Sequence, residues 1–229
     1  MTTHDGKPER LAKERLEGVF GLLLVLTLLL GRLPYRGIRH DAILYAGQAL
    51  AHLNPSWAAS DFYFAHGSQD RYSIFSAMLA WLMRHVDTSV LDVTLLLGAQ
   101  FAFLAVLVGL TREFPWRDRW LSLLCVVGAT HFYASGRVFS FMEPFLTART
   151  WAEPLTLLAL LCLMRQRRVG ACVAFAGAML MHPLVAVPAM GIALVYLIGE
   201  DRRWALLLLA LIPLLGLAAA GMQPFAGLF

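Results

Sequence analysis

Charge is what this sequence has least of. Only 15% of its 229 residues are Asp, Glu, Lys or Arg, against 59% hydrophobic, and the mean hydropathy is +0.65. A soluble domain carries about 25% charged residues. The scarcity argues against a water-soluble globule and places the chain among α-helical membrane proteins. Strict alternation of polar and apolar residues is also missing. Continuous runs such as "GVFGLLLVLTLLL" stand in its place, which argues against a β-barrel. Cysteine is scarce: Cys125, Cys162 and Cys172 lie in apolar segments and form no CxxC, so neither a disulfide nor a metal site is read from them. No concentrated basic region accompanies the net charge of +4. Its Lys and Arg residues fall in short clusters between apolar runs, the pattern of topology determinants, and no nucleic-acid partner is expected.

What is present is apolar length. Seven candidate transmembrane helices are expected, over 17–34, 90–110, 119–135, 151–165, 169–182, 184–199 and 204–221, in an all-α integral membrane protein. Residues 1–16 form a cytoplasmic segment before the first span. A loop over 35–89 with juxtamembrane helices follows that span, and 90–229 form the helical bundle. No small-residue cleavage site follows the first apolar run, so an uncleaved signal anchor is expected. The segment 72–86 is apolar but only about 15 residues long, short for a span.

The basic residues decide its placement. If 72–86 does not cross, one side receives Lys7, Arg10, Lys13 and Arg15, then Arg112, Arg117 and Arg119, then Arg165, Arg167 and Arg168, then Arg202 and Arg203. That is twelve of 19 basic residues. If it crosses, "RQRR" lands outside, against the positive-inside rule. The N-terminus and the four clusters are therefore expected in the cytoplasm of a plasma (inner) membrane. The loops over 35–89 and 136–150 then lie outside, and the outer face or outer half of the spans holds His40, His52, His66, His85, His131 and His182 with Asp41, Asp61, Asp70, Asp87, Glu143, Glu153, Arg137 and Arg149.

Four outer stretches could carry chemistry. In "DAILYAGQALAHL" (41–53), Ile43, Leu44, Ala46, Leu50 and Leu53 keep near-helical spacing. Asp41 stands at the helix start, where an aspartate caps free N–H groups. The same carboxylate could serve as a general base toward an acceptor. His40 beside it could orient Asp41 or bind phosphate, or simply sit at the interface. In 54–75 the aromatic residues fit an interfacial belt, and Asp61, His66 and Asp70 are chemically suited to a metal but match no compact motif. In "ASGRVFSFMEPFLTARTWAEPL" (134–155), Glu143, Arg149 and Glu153 are ionisable groups at the membrane boundary. Arg149 and Glu153, four apart, suit a helix-face pair. Alternatively Arg149, or more weakly Arg137, clamps a lipid phosphate. Pro144 and Pro154 are expected to break or start helices. Finally, His182 in "AMLMHPLVAVPAM" is either a turn residue or a ligand for a phosphate or sugar hydroxyl.

Several features together resemble the GT-C superfamily of polytopic glycosyltransferases. A cytoplasmic N-terminus leads into a first span, an acidic residue (Asp41) follows it in a long outer loop, and juxtamembrane helices come next. "TARTWAEPL" and "LMHPLVAVP" also look like stretches of bacterial membrane proteins of this type. The resemblance covers nearly the whole chain. It implies a GT-C-like transmembrane module that uses a polyprenyl-phosphate-linked sugar as donor substrate, with a divalent metal requirement left open. Asp41 takes the position of the catalytic acidic residue. By location, Arg149, His182, His40, Arg137 and Glu143 would contact donor or acceptor. The chain departs from the pattern in carrying His-Asp where many members carry two acidic residues, and in being about half their length. The alternative reading is a non-catalytic polytopic protein, a transporter subunit or an envelope-assembly scaffold.

Overall fold

The computed structural model describes residues 6–32, 34–58, 61–64, 69–129, 132–133 and 139–210. Nearly all of these residues are helical. The helices are α1 (Gly6–Arg32), α2 (Asp41–Leu53), α3 (Pro55–Ala58), α4 (Phe75–Met83), α5 (Thr88–Leu110), α6 (Trp116–Gly128), α7 (Ala148–Met164), α8 (Arg168–Met181) and α9 (Pro183–Glu200), with 3-10 turns at Gln69–Tyr72 and Arg202–Ala210. Among the described residues the strand pairing is one antiparallel two-residue ladder, Phe132–Tyr133 against Phe139–Ser140.

Helices form where the hydropathy pattern expects them, but seven spans are not supported. Two described helices are long and apolar enough to cross a membrane, α5 and α9, while Leu16–Gly31 within α1 and Arg168–Met181 are shorter apolar helices. The physical reason is length, since a crossing needs about 20 apolar residues. The helix expected over 119–135 stops at Gly128, and the one over 151–165 spends its first turns on Arg149 and Glu153. The described part of 204–221 is a 3-10 turn, and its remainder lies outside the described residues. Segment 72–86 forms the nine-residue α4.

Packing gives the bundle two chemically distinct ends. Helices α5 and α7 run parallel: Gly98 approaches Trp151 at one level, and Gly109 approaches Leu161 further along. Arg165 Nη2 donates to the Gly109 carbonyl at 3.1 Å. Helices α1 and α6 are also parallel, with Gly21 against the Trp120 ring and Leu28 against Gly128. Arg112, Arg119, Arg165 and Arg168 thus gather at one end, where Arg119 donates to the Thr111 and Arg112 carbonyls and Arg168 lies 5.5 Å from the Trp204 ring centroid. At 1.5 Å per residue, α5 carries the chain about 33 Å to the other end.

That other end holds the outer segment. Tyr45 and Ala49 of α2, Phe75 and Leu79 of α4, Leu91 and Leu96 of α5, and Leu146 and Ala148 ahead of and within α7 form one buried cluster. Burying a side chain of Phe or Leu size contributes about 1.5–3 kcal/mol, so the cluster fixes α2 and α4 on the bundle end. Polar ties assist. Ser73 Oγ donates to the Met181 carbonyl at 2.6 Å, and the Ile74 amide to the Leu180 carbonyl at 2.9 Å. Gln48 accepts from Ser76 Oγ at 2.8 Å and donates to Tyr63 Oη at 3.1 Å.

Of the apolar residues that define the expected face of α2, Leu53 packs against the cluster but Ile43, Leu44 and Leu50 do not face it. Ala42, Tyr45, Gln48 and Ala49 face inward, while Ile43, Leu44 and Leu50 point outward, with Ile43 57% exposed.

Candidate functional site

Three charged side chains meet where the first residue of α2 reaches the first turn of α7. The first turn of α7 is built by Thr147, whose backbone N–H donates to Thr150 Oγ1 at 3.3 Å in a capping box. This places Arg149 in the first helical turn. A cation there opposes the helix dipole, so the local sequence disfavours it and its partners must compensate. Arg149 Nη2 donates to Asp41 Oδ2 at 2.6 Å and to Glu143 Oε1 at 2.8 Å, and Nε reaches the same Glu143 oxygen at 3.3 Å. Glu143 Oε2 accepts from Thr147 Oγ1 at 2.8 Å.

The two carboxylates are held differently. The Glu143 side chain is 2% exposed and Asp41's is 34% exposed, with Arg149 at 6%. Glu143 is the floor of the site and Asp41 its rim. Burial pushes the Glu143 carboxyl above the ordinary range, only partly offset by Arg149 and Thr147. Tyr45, one turn along α2, lies within the field of the same three charges, and burial pushes its hydroxyl up to about 12.

Glu153 is also buried, at 2% exposure. Its Oε2 accepts the Met142 amide at 3.0 Å, while Oε1 has no hydrogen-bond partner. Met142 has a φ of 56°, the left-handed region. The expected Arg149–Glu153 pair is therefore not formed; Arg149 turns to Asp41 and Glu143 instead. Pro154 does not break the helix either, but sits inside α7. The expected cap is also corrected: His40 occupies the N-cap position of α2, without a side-chain bond, and Asp41 points its carboxylate to Arg149.

The structure brings together four of the six residues singled out from the sequence: Asp41, Glu143, Arg149 and His182. His182 sits between α8 and α9, within the field of Arg149 and Asp41, and its Nδ1 is buried without a hydrogen-bond partner. His40 is exposed and packs on Phe145, centroid to centroid 5.5 Å, so it does not orient Asp41 through a hydrogen bond. Arg137 lies outside the described residues, as does His66. Asp70 pairs with His52, and Asp61 accepts the amides of Tyr63 and Phe64, so neither points to a shared ion. No grouping of three metal-ligand side chains occurs among the described residues.

Thr147 and Tyr45 were not anticipated from sequence. The "TART" run is a local capping signal for Thr147. Tyr45 carries no comparable signal. Chemically, the site offers a buried guanidinium suited to an oxyanion and an accessible carboxylate suited to taking a proton. No protein family, curated protein or solved structure matches the chain.

Proposed function

We propose that the chain is a membrane glycosyltransferase of the GT-C type, moving a sugar from a polyprenyl-phosphate donor to an acceptor at the extracytoplasmic face of the plasma (inner) membrane. The observation that carries this reading is the Asp41–Arg149 contact at the bundle end opposite the arginine clusters. Asp41 takes a proton from the acceptor, and Arg149 holds the leaving phosphate, where a preoriented cation is most effective. The large apolar side chains exposed on α2 and α9, among them Ile43, Leu44, Leu184 and Val195, favour a lipid setting. With the arginine clusters in the cytoplasm, the site faces outward.

The test compares lipid-linked sugars by mass spectrometry in membranes with wild-type protein, Asp41→Asn and no protein. Depletion of one polyprenyl-phosphate sugar by wild type only is the expected result. Three identical profiles would reject the reading.

One observation favours a second reading, a transporter subunit or other non-catalytic polytopic protein. Within apolar α5, Asp92, which shares a hydrogen bond with Tyr35, is buried, and both polar atoms of the Gln100 side chain are buried without partners. Polar groups inside a crossing helix mark pathways as well as structure.

A further inference from the structure

The two carboxylates on Arg149 differ in everything that decides which can leave. Glu143 contacts both Nε and Nη2, is buried, and is anchored by Thr147 from the same chain segment. Asp41 makes a single 2.6 Å contact to Nη2, is one-third exposed, and belongs to a helix 108 residues away. Removing Asp41 from Arg149 leaves the α7 cap and the Glu143 bridge in place. Removing Glu143 would take away its contacts to both Nε and Nη2 of the buried guanidinium.

Charge points the same way. Asp41 and Glu143 already place two carboxylates on one guanidinium. An arriving anion cannot simply add to this set, because like charges at close range repel strongly. It fits if one carboxylate gives up its place. His182 Nδ1, buried and without a partner beside these charges, is a second polar atom able to face an incoming oxyanion when it carries its proton.

We propose that Asp41 is an exchangeable occupant of an oxyanion site built on Arg149: a phosphate ester displaces Asp41 from Nη2, and the released carboxylate becomes the proton acceptor. Displacement from Nη2 leaves Asp41 Oδ2 open to the acceptor hydroxyl, so acceptor deprotonation waits for donor. This second half rests on the glycosyltransferase reading. In it, the acceptor O–H proton passes to Asp41 and the oxygen lone pair forms the bond to the anomeric carbon. The bond from that carbon to the phosphate oxygen breaks, and its electron pair leaves on the phosphate held by Arg149.

The experiment is a binding titration on the full chain in detergent, with decyl phosphate and inorganic phosphate as separate probes. Proteins are wild type, Asp41→Asn, Asp41→Ser and Arg149→Lys; the serine variant serves if the asparagine variant does not fold. Loss of a competing charge-assisted bond is expected to tighten decyl phosphate binding on the order of tenfold in the Asp41 variants, and loss of the guanidinium fork to weaken it by a similar factor. Equal tightening for inorganic phosphate assigns the site to the phosphate group alone; tightening confined to decyl phosphate assigns it to a lipid phosphate. Both support the exchange. Tightening of less than about threefold, where 1.4 kcal/mol corresponds to tenfold, overturns it. So does the absence of binding to every protein. Sugar transfer is read separately. Tightened binding with no transfer by wild type keeps the exchange and discards glycosyl transfer; transfer by wild type with unchanged affinity in the Asp41 variants does the reverse.

Discussion

Asp41 Oδ2 and Arg149 Nη2 stand 2.6 Å apart although 108 residues separate them. Arg149 serves two carboxylates of unequal burial, so its loss and the loss of Asp41 have unequal costs. Arg149→Gln strands a buried Glu143 and is expected to destabilise the protein by about 3–5 kcal/mol. Asp41→Asn, at the partly solvated rim, is expected to cost no more than about 1 kcal/mol. Thermal unfolding of the two variants in detergent checks the order; equal losses would contradict it.

Glu143 gives the pH dependence. Its carboxyl is raised above the ordinary value of 4.5 because burial outweighs Arg149 and Thr147. A raised carboxyl contributes stability that is fully present below the unfolded-state value and is lost as pH rises through the folded-state value. Glu143→Gln is neutral throughout. Wild type is therefore expected to lose stability relative to Glu143→Gln as pH rises from about 4, measured as thermal midpoints of both proteins across pH. A difference that stays constant or runs the other way contradicts the assignment.

Two glycines of α1 separate a packing role from an incidental one. A Cβ at Gly21 would lie 2.5 Å from the Trp120 ring, whereas Gly18 has nothing within 4 Å. Gly21→Ala is expected to destabilise the α1–α6 contact by about 1–3 kcal/mol through overpacking. Gly18→Ala is expected to be neutral or to add up to about 1 kcal/mol of helix propensity. Limited proteolysis and thermal midpoints distinguish the two.

Sequence reasoning located the helices and four of the residues that meet, but mispaired them. Spacing along one helix suggested Arg149 with Glu153, because i,i+4 neighbours are the only contacts a sequence displays directly. The observed partners come from α2 and from the segment before α7, and tertiary contacts leave no spacing signal. Helix α2 was delimited correctly, yet its buried side was not the side of Ile43, Leu44 and Leu50. Periodicity finds an apolar face and does not say whether protein or lipid covers it. The number of spans failed for a related reason: hydropathy marked apolar stretches, whereas the lengths of α6, α7 and α8 are set by breaks at Ala129, Arg165 and His182.

Gln100 allows a stabilising change. Both polar atoms of its side chain are buried without partners, and an unsatisfied buried group costs about 1–3 kcal/mol. Gln100→Leu is expected to raise the thermal midpoint if the group serves only as filling. A fall would show that Gln100 has a partner such as an internal water.

Orientation is testable by thiol labelling. Cys125 and Cys172 are exposed and Cys162 is half-buried, so all three are replaced first. In that background Ser89→Cys, at the Asp41 end, is expected to react with an impermeant reagent on intact cells, and Arg117→Cys is expected to stay unlabelled. The opposite pattern would invert the bundle and remove the extracytoplasmic placement of the site.

The long reach between Asp41 and Arg149 also has a consequence in time. At a synthesis rate of about 5–20 residues per second, Asp41 leaves the ribosome some 5–20 s before Arg149. Ser73 and Ile74 wait as long for Leu180 and Met181. During that interval the outer segment has α5 but neither α7 nor α8 to settle on, so the nascent chain passes through a stage in which its first half is made and its site does not yet exist.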